Sequence, residues 1–131
     1  MKILDLIHFV NSRVPFDYYP NSFPLPSEYV PEFCATVKLT GGFPPSDLGT
    51  KRPSFQIMVR GGHDANGMVD IPGCEAKAYE IYEALTNIEN VTIGNDSVVI
   101  IRANNSAPIY IGDDDNGLPI YSMNFTCVVR P

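Results

Sequence analysis

The sequence contains few of the side chains on which catalytic and metal sites depend. It has two His, no Trp and three Cys, and Cys34, Cys74 and Cys127 show no CxxC spacing. P-loop, GxSxG and HExxH motifs are also missing. We therefore predict a protein that is not an enzyme and that has no catalytic, cofactor or metal site. The thiols are interpreted as small buried hydrophobic groups in a reducing compartment.

Positive charge is also scarce, because 9 Lys and Arg face 15 Asp and Glu for a net charge of -6. A groove that grips duplex DNA needs clustered cations, so the balance argues against one but permits a passage through which DNA slides. No apolar run approaches the ~18 residues of a membrane helix. The opening is interrupted by Asp5 and His8, unlike a signal peptide. We expect a soluble, cytoplasmic product with no membrane association.

The strongest local pattern is a strand that begins near residue 54. Phe55, Ile57 and Val59 alternate with more polar residues, which predicts one buried face. The opposite face carries Gln56 and Arg60 and is expected to remain polar and accessible.

Two helices are predicted. One covers about 70–87, because Asp70 is a suitable N-cap and Pro72 falls in the first turn, where its missing N–H costs nothing. Its apolar residues form one stripe, and its carboxylates form a solvated face. The other covers residues 2–13, and Pro15 limits it.

Extended patterns at the remaining positions complete an α+β prediction. We expect a single domain with a four- or five-stranded antiparallel or mixed sheet, two helices packed on it and long loops. A strand near 54–62, the second helix and a strand near 97–103 could form a parallel crossover. The predicted segments are an N-terminal helix 1–14, a proline and aromatic arm 15–31, and an α+β core 32–131, whose other strands lie near 32–40, 90–93, 107–111 and 118–129.

The arm 15–31 contains five prolines, so regular structure is not expected there. It is too aromatic for a solvated linker. Either its own domain or a neighbouring subunit could receive its aromatic side chains, and both alternatives remain open. Those side chains are Phe16, Tyr18, Tyr19, Phe23 and Tyr29.

Two loops carry polar residues that merit attention. The ten residues from Phe43 to Arg52 form a long loop, and loops of this length without their own structure are often functional. The acidic segment Asp113–Gly117 fits an EF-hand poorly, because Gly, Leu and Asn occupy its fifth, sixth and twelfth positions. An Asn-Gly pair between extended segments instead predicts a hairpin turn.

Four motifs occur in order: LTGG at 39–42, RPSFQIMVRG at 52–61, AKAYEIYEAL at 76–85 and DDDNGLPIYSMNFTCVV at 113–129. Together they resemble the tail terminator proteins of long-tailed bacteriophages, from about Pro31 to the end. The arm departs from this resemblance and receives no role from it.

The resemblance implies a structural virion protein located at the head–tail junction and assembled in the host cytoplasm. Such proteins form a ring, usually a hexamer, that caps the tail tube, ends its growth and meets the head connector. Genomic DNA passes through the lumen without specific binding. The implied subunit or tail-tube contacts, with two tyrosines of the arm added, are Phe43, Asp47, Lys51, Arg52, Gln56, Arg60, Tyr18 and Tyr19.

Other functions remain open at this stage. A head-completion or connector-adaptor protein has similar size, and a small non-enzymatic binding module could use the acidic turn. An enzyme would need a site built from His63, Asp64 and distant acids that spacing does not connect.

Overall fold

A computed structural model describes residues 1–131 and contains two helices and one seven-stranded sheet. The elements are α1 (Ile3–Arg13), β1 (Tyr18–Pro20), β2 (Cys34–Leu39), β3 (Ser54–Arg60), α2 (Ile71–Leu85), β4 (Ile88–Ile93), β5 (Asp96–Ala103), β6 (Ile109–Asp113) and β7 (Pro119–Val129). The α+β prediction is confirmed, but the predicted four or five strands are too few. The short β1 within the arm accounts for part of the difference.

The sheet is built around β7, which is eleven residues long. The strand order is β1-β2-β3-β7-β5-β4, and β6 pairs with the first part of β7 beside β5. Only β1 and β2 pair in parallel. Because β3 and β5 are both antiparallel to β7, they run parallel to each other. The predicted crossover therefore has the right direction, but β7 lies between its two strands.

The core lies between one face of the sheet and the two helices. Phe55, Ile57 and Val59 are buried, as their alternation predicts, and the Phe55 ring stacks on Phe125 with 5.1 Å between centroids. Burial of an aliphatic or aromatic side chain contributes about 1.5–3 kcal/mol. This contiguous cluster is the main source of the domain's stability.

The ends of α2 follow from local chemistry. The Asp70 side chain accepts a hydrogen bond from the backbone N–H of Gly73 at 2.9 Å, which satisfies one of the helix's free donors. Pro72 lies in the first turn as predicted. The stripe of Cys74, Ala78 and Ile81 faces the core. Replacing Asp70 with Ala would cost about 1 kcal/mol.

The Asn-Gly hairpin prediction is confirmed between β6 and β7, and the same turn occurs twice. In one turn, the Asp114 carboxylate accepts hydrogen bonds from the backbone N–H groups two and four residues later. Asp64 does the same in the loop before α2. Both turns have the sequence Asp-x-Asn-Gly-x. The backbone N–H of Gly61 donates to the carbonyl of Pro119, so both turns lie at one end of β7.

Candidate functional site

The predicted loop 43–52 is an ordered hairpin, which we call the tongue. The backbone N–H of Phe43 donates to the carbonyl of Arg52 at 3.0 Å, and the Arg52 guanidinium lies 5.6 Å from the centre of the Phe43 ring. Lys51 exchanges backbone hydrogen bonds with Val129 at the end of β7. The structure therefore brings three of the predicted site residues together, namely Phe43, Lys51 and Arg52.

The tip of the tongue is fixed by hydrogen bonds within the tongue itself. The Ser46 backbone N–H donates to the Thr50 carbonyl, and the Ser46 hydroxyl accepts from the Thr50 N–H. Leu48 projects from the tip with 87% of its surface exposed, next to the exposed Asp47. Together with Phe43, which is 62% exposed, Leu48 gives the tongue two large exposed apolar side chains.

Arg60 is not accessible, which corrects the expectation drawn from strand alternation. Only 3% of its surface is exposed. Its guanidinium donates hydrogen bonds to the carbonyls of Glu32 (2.8 Å), Pro24 (3.0 Å) and Pro31 (3.2 Å), and it lies 5.0 Å from the centre of the Phe23 ring. Arg60 thus fastens the arm to the sheet. Gln56, on the same strand, donates to the Ser122 hydroxyl at 3.0 Å.

The arm packs mainly on its own domain. Tyr18 and Tyr19 lie in β1, so the expectation that the arm has no regular structure is wrong at these residues. The Tyr18 hydroxyl donates to the Val14 carbonyl at 2.7 Å. Burial, with a smaller contribution from the Glu80 charge, raises the pKa of Tyr18. Of the five arm aromatics, only Tyr29 projects into solvent, at 87% exposure.

The sequence analysis missed a second accessible apolar surface, on β6. Ile109, Tyr110 and Ile111 are 45%, 50% and 53% exposed. Their sequence pattern indicates only a short extended segment. An Ile-Tyr-Ile run shortly before an Asn-Gly turn does signal a strand, but the sequence does not reveal that the strand lies at a sheet edge.

The edges of the sheet differ in how they are protected. β1 is three residues long and ends in Pro20, and β4 carries the charged Glu89 next to Asn90, whose φ of 53° interrupts the strand. Short length, proline, charge and irregularity all discourage pairing with another chain. β6 has no proline, and its only charge is the terminal Asp113. A bulge at Gly112 disturbs only its last residues. Thus β6 is the least protected edge.

Carboxylates surround this edge. The Tyr110 hydroxyl donates to Asp113 at 2.7 Å, and the neighbouring Tyr121 hydroxyl donates to Glu75 at 3.1 Å. The bond to Asp113 raises the pKa of Tyr110. Asp115 is exposed on the adjoining turn. We call Glu75, Asp113, Asp115 and the three exposed side chains of β6 the acidic edge.

The structure has no cluster of three or more His, Cys, Asp or Glu side chains that could hold a metal ion. His63 lies 2.8 Å from a carboxylate oxygen of Glu32. All three cysteines are free and buried, and burial raises the pKa of Cys74 and of Cys127 to about 12, so both remain protonated thiols at neutral pH. Neither α1 nor α2 has the length and the continuous apolar sequence that a membrane-spanning helix requires.

A family model described as "Bacteriophage tail terminator protein" matches residues 26–130. The matched region begins in the arm and includes the tongue, the acidic edge and all strands from β2 to β7. No curated protein matches the sequence significantly.

Proposed function

The chain belongs to the bacteriophage tail terminator family, and we propose that it forms a hexameric ring, as the resemblance to this family implies. The ring caps the tail tube and ends its growth. The observation that carries this proposal is the extent of the family match, which covers 105 of the 131 residues (26–130). Membership establishes a structural component of the phage tail. The ring, the end of tube growth and the junction with the head connector are the proposed part.

Two features of the molecule support assembly into a ring. A cyclic ring needs two different surfaces on each subunit, because one surface must meet the other on the next copy. The tongue and the acidic edge are two such surfaces, each with exposed apolar side chains. A monomer that leaves both uncovered has a reason to associate.

The charge of the chain supports a lumen through which DNA passes. With a net charge of -6, the protein lacks the cation excess that would hold a polyphosphate. Arg60, one of the nine cations, is buried beneath the arm and is not accessible to a ligand. Six copies would carry a large negative total charge, which favours sliding over binding.

The test is electron microscopy of a lysate from the phage that carries a stop codon in this gene. Tails of uncontrolled, excessive length beside unattached heads are the expected result. Complementation from a plasmid with the intact gene should restore normal length and infectivity. Tails of normal length beside unattached heads would instead assign the protein to head completion, and normal infectious particles would contradict any required role in the virion.

A further inference from the structure

The tongue and the acidic edge lie at opposite ends of β7. Lys51 pairs with Val129 at one end, whereas Asp113 pairs with Pro119 at the other. Roughly ten residue steps of about 3.3 Å separate these positions, or about 33 Å. The two surfaces therefore cannot meet within one subunit, and any contact between them joins two copies.

Their charges are complementary. Around the base of the tongue, Lys51, Arg52 and Arg130 are exposed cations, and the Asp96 carboxylate there lies 2.8 Å from the N-terminal amino group. Asp47 is the tongue's own carboxylate. The carboxylates of the acidic edge form no ion pair with a cation. Opposite charges guide two surfaces together and fix their relative position.

Their apolar groups are complementary in form as well. The tongue presents Phe43 and the projecting Leu48, whereas the acidic edge presents Ile109 and Ile111 on one face of β6 and Tyr110 on the other. An apolar protrusion with cations at its base matches an apolar strand that has carboxylates nearby. Interfaces of this kind bury an apolar centre within a polar rim.

We infer that the tongue of one copy docks against the acidic edge of the next, so that its Phe43 and Leu48 cover β6 while its cations at the base face the carboxylates beside β6. This inference rests on the proposed ring and specifies its subunit contact. The occupant is a second copy, because the matching surface is present on the chain itself. Pairing of β6 with β6 would instead join two acidic ends and leave both tongues uncovered.

A charge exchange tests this contact with full-length protein. Lys51→Glu places a carboxylate opposite the acidic edge, whereas Asp115→Lys places an ammonium opposite the cations at the base of the tongue. Each single variant should weaken self-association about tenfold or more. Light scattering after size exclusion and native mass spectrometry measure the assemblies.

An equimolar mixture of the two variants should restore assembly. The carboxylate introduced into the tongue of one variant then faces the ammonium introduced into the acidic edge of the other. The remaining contacts of an alternating ring pair the native Lys51 with the native Asp115. Every contact in the mixed ring therefore joins opposite charges.

Both positions suit the test because neither side chain supports the fold. Lys51 contributes only its backbone to the pairing with β7, and Asp114 rather than Asp115 supplies the hydrogen bonds of the turn. Lys38→Glu and Glu83→Lys are matched controls at exposed positions elsewhere, and both should assemble as the wild type does.

An apolar pair of variants gives a second measurement. Ile111→Lys, on the exposed face of β6, should block assembly because it places a charge in the apolar centre of the contact. Leu4→Lys, at an exposed position on α1, should assemble normally. Equal assembly of these two variants would contradict the placement of the contact on β6.

The outcomes separate this contact from the proposed function. Wild-type rings that persist in both single charge variants would overturn the contact and leave the tail function standing. A mixture that stays dissociated while each variant remains folded would also overturn it. A wild-type protein that never self-associates would overturn the contact. The proposed function is tested separately, by the tail lengths of the stop-codon phage.

Discussion

The arm and the tongue both contain prolines, and the sequence predicts no regular structure for either one. In the structure, however, the arm packs on its own domain, whereas the tongue projects. Proline has no N–H, so neither segment can form a complete backbone ladder. The Arg60 guanidinium donates hydrogen bonds to two carbonyls of the arm, those of Pro24 and Pro31. It donates a third to the carbonyl of Glu32, the first residue after the arm. The tongue forms hydrogen bonds within itself and with β7 instead. The buried Arg60 therefore holds the arm against the sheet, whereas backbone hydrogen bonds hold the tongue in its projecting position.

Replacement of Arg60 should have the largest effect on the difference between the arm and the tongue. Arg60→Met retains much of the side-chain volume but removes the donor from three carbonyls, those of Pro24, Pro31 and Glu32. We expect a loss of about 3–5 kcal/mol in the free energy of unfolding, since each hydrogen bond to a charged group contributes about 1.5–3 kcal/mol. Urea unfolding measures the stability, and limited proteolysis should now cut within 24–31.

Arg52→Met is the matched control for Arg60→Met. This arginine lies over Phe43 but is exposed, and its interaction contributes about 0.5–1 kcal/mol. Equal losses for the two variants would contradict the distinction between a buried anchoring arginine and an exposed one.

A second comparison uses the two glycines at the base of the tongue. Gly41 and Gly42 have φ values of 89° and 84°, so alanine is strained at either position. At Gly42 an added Cβ would also collide with the Arg52 carbonyl, whereas at Gly41 it would meet nothing. We expect losses of about 3 kcal/mol for Gly42→Ala and about 1 kcal/mol for Gly41→Ala. Thermal unfolding that gives equal losses would mean that the tongue is not held as described.

High pH should weaken the arm's attachment through Tyr18. Its folded pKa is raised above the ordinary value of 10.0, so the unfolded chain releases the phenol proton first and stability falls as pH rises above about 10. Tyr18→Phe should cost about 1 kcal/mol at pH 7, where the bond to Val14 is intact. That difference should shrink as the pH is raised past the unfolded pKa. Urea midpoints at each pH measure it, and a constant difference would contradict the assignment.

The smallest effects are expected at the two exposed tips. Leu48→Ser in the tongue and Tyr29→Ser in the arm should each change monomer stability by less than about 0.5 kcal/mol. They should differ in assembly, because only Leu48 belongs to the inferred contact. Light scattering of both variants measures this difference. Weaker assembly in Tyr29→Ser alone would reverse the assignment of the two segments.

Much of the fold could be predicted from the sequence, because local signals determine it. The alternation of Phe55, Ile57 and Val59, the N-cap Asp70 and the Asn-Gly turn all act within a few residues of themselves. For the function, the family resemblance carries the prediction, and no single chemical group does.

The remaining features depend on partners that are distant in the chain. Alternation places Arg60 opposite the core but cannot show that carbonyls 28 to 36 residues away will cover it. In the same way, the Ile-Tyr-Ile run of β6 predicts a strand but not its place at an edge. Polarity singles out Gln56 as a candidate contact, and aromatic character singles out the two arm tyrosines. The structure gives all three residues partners within the monomer.

The repeated Asp-x-Asn-Gly turn has a consequence for chemical ageing. Asn-Gly sequences deamidate when the glycine nitrogen attacks the asparagine side chain. In both turns that nitrogen is held, because the Gly67 N–H donates to the Asp64 carbonyl and the Gly117 N–H donates to the Asp114 carbonyl, each at 3.0 Å. We expect slow deamidation at both sites in folded protein and rapid deamidation after unfolding, which peptide mass mapping would detect. A phage tail protein can thus contain two Asn-Gly pairs and still resist deamidation while it remains folded.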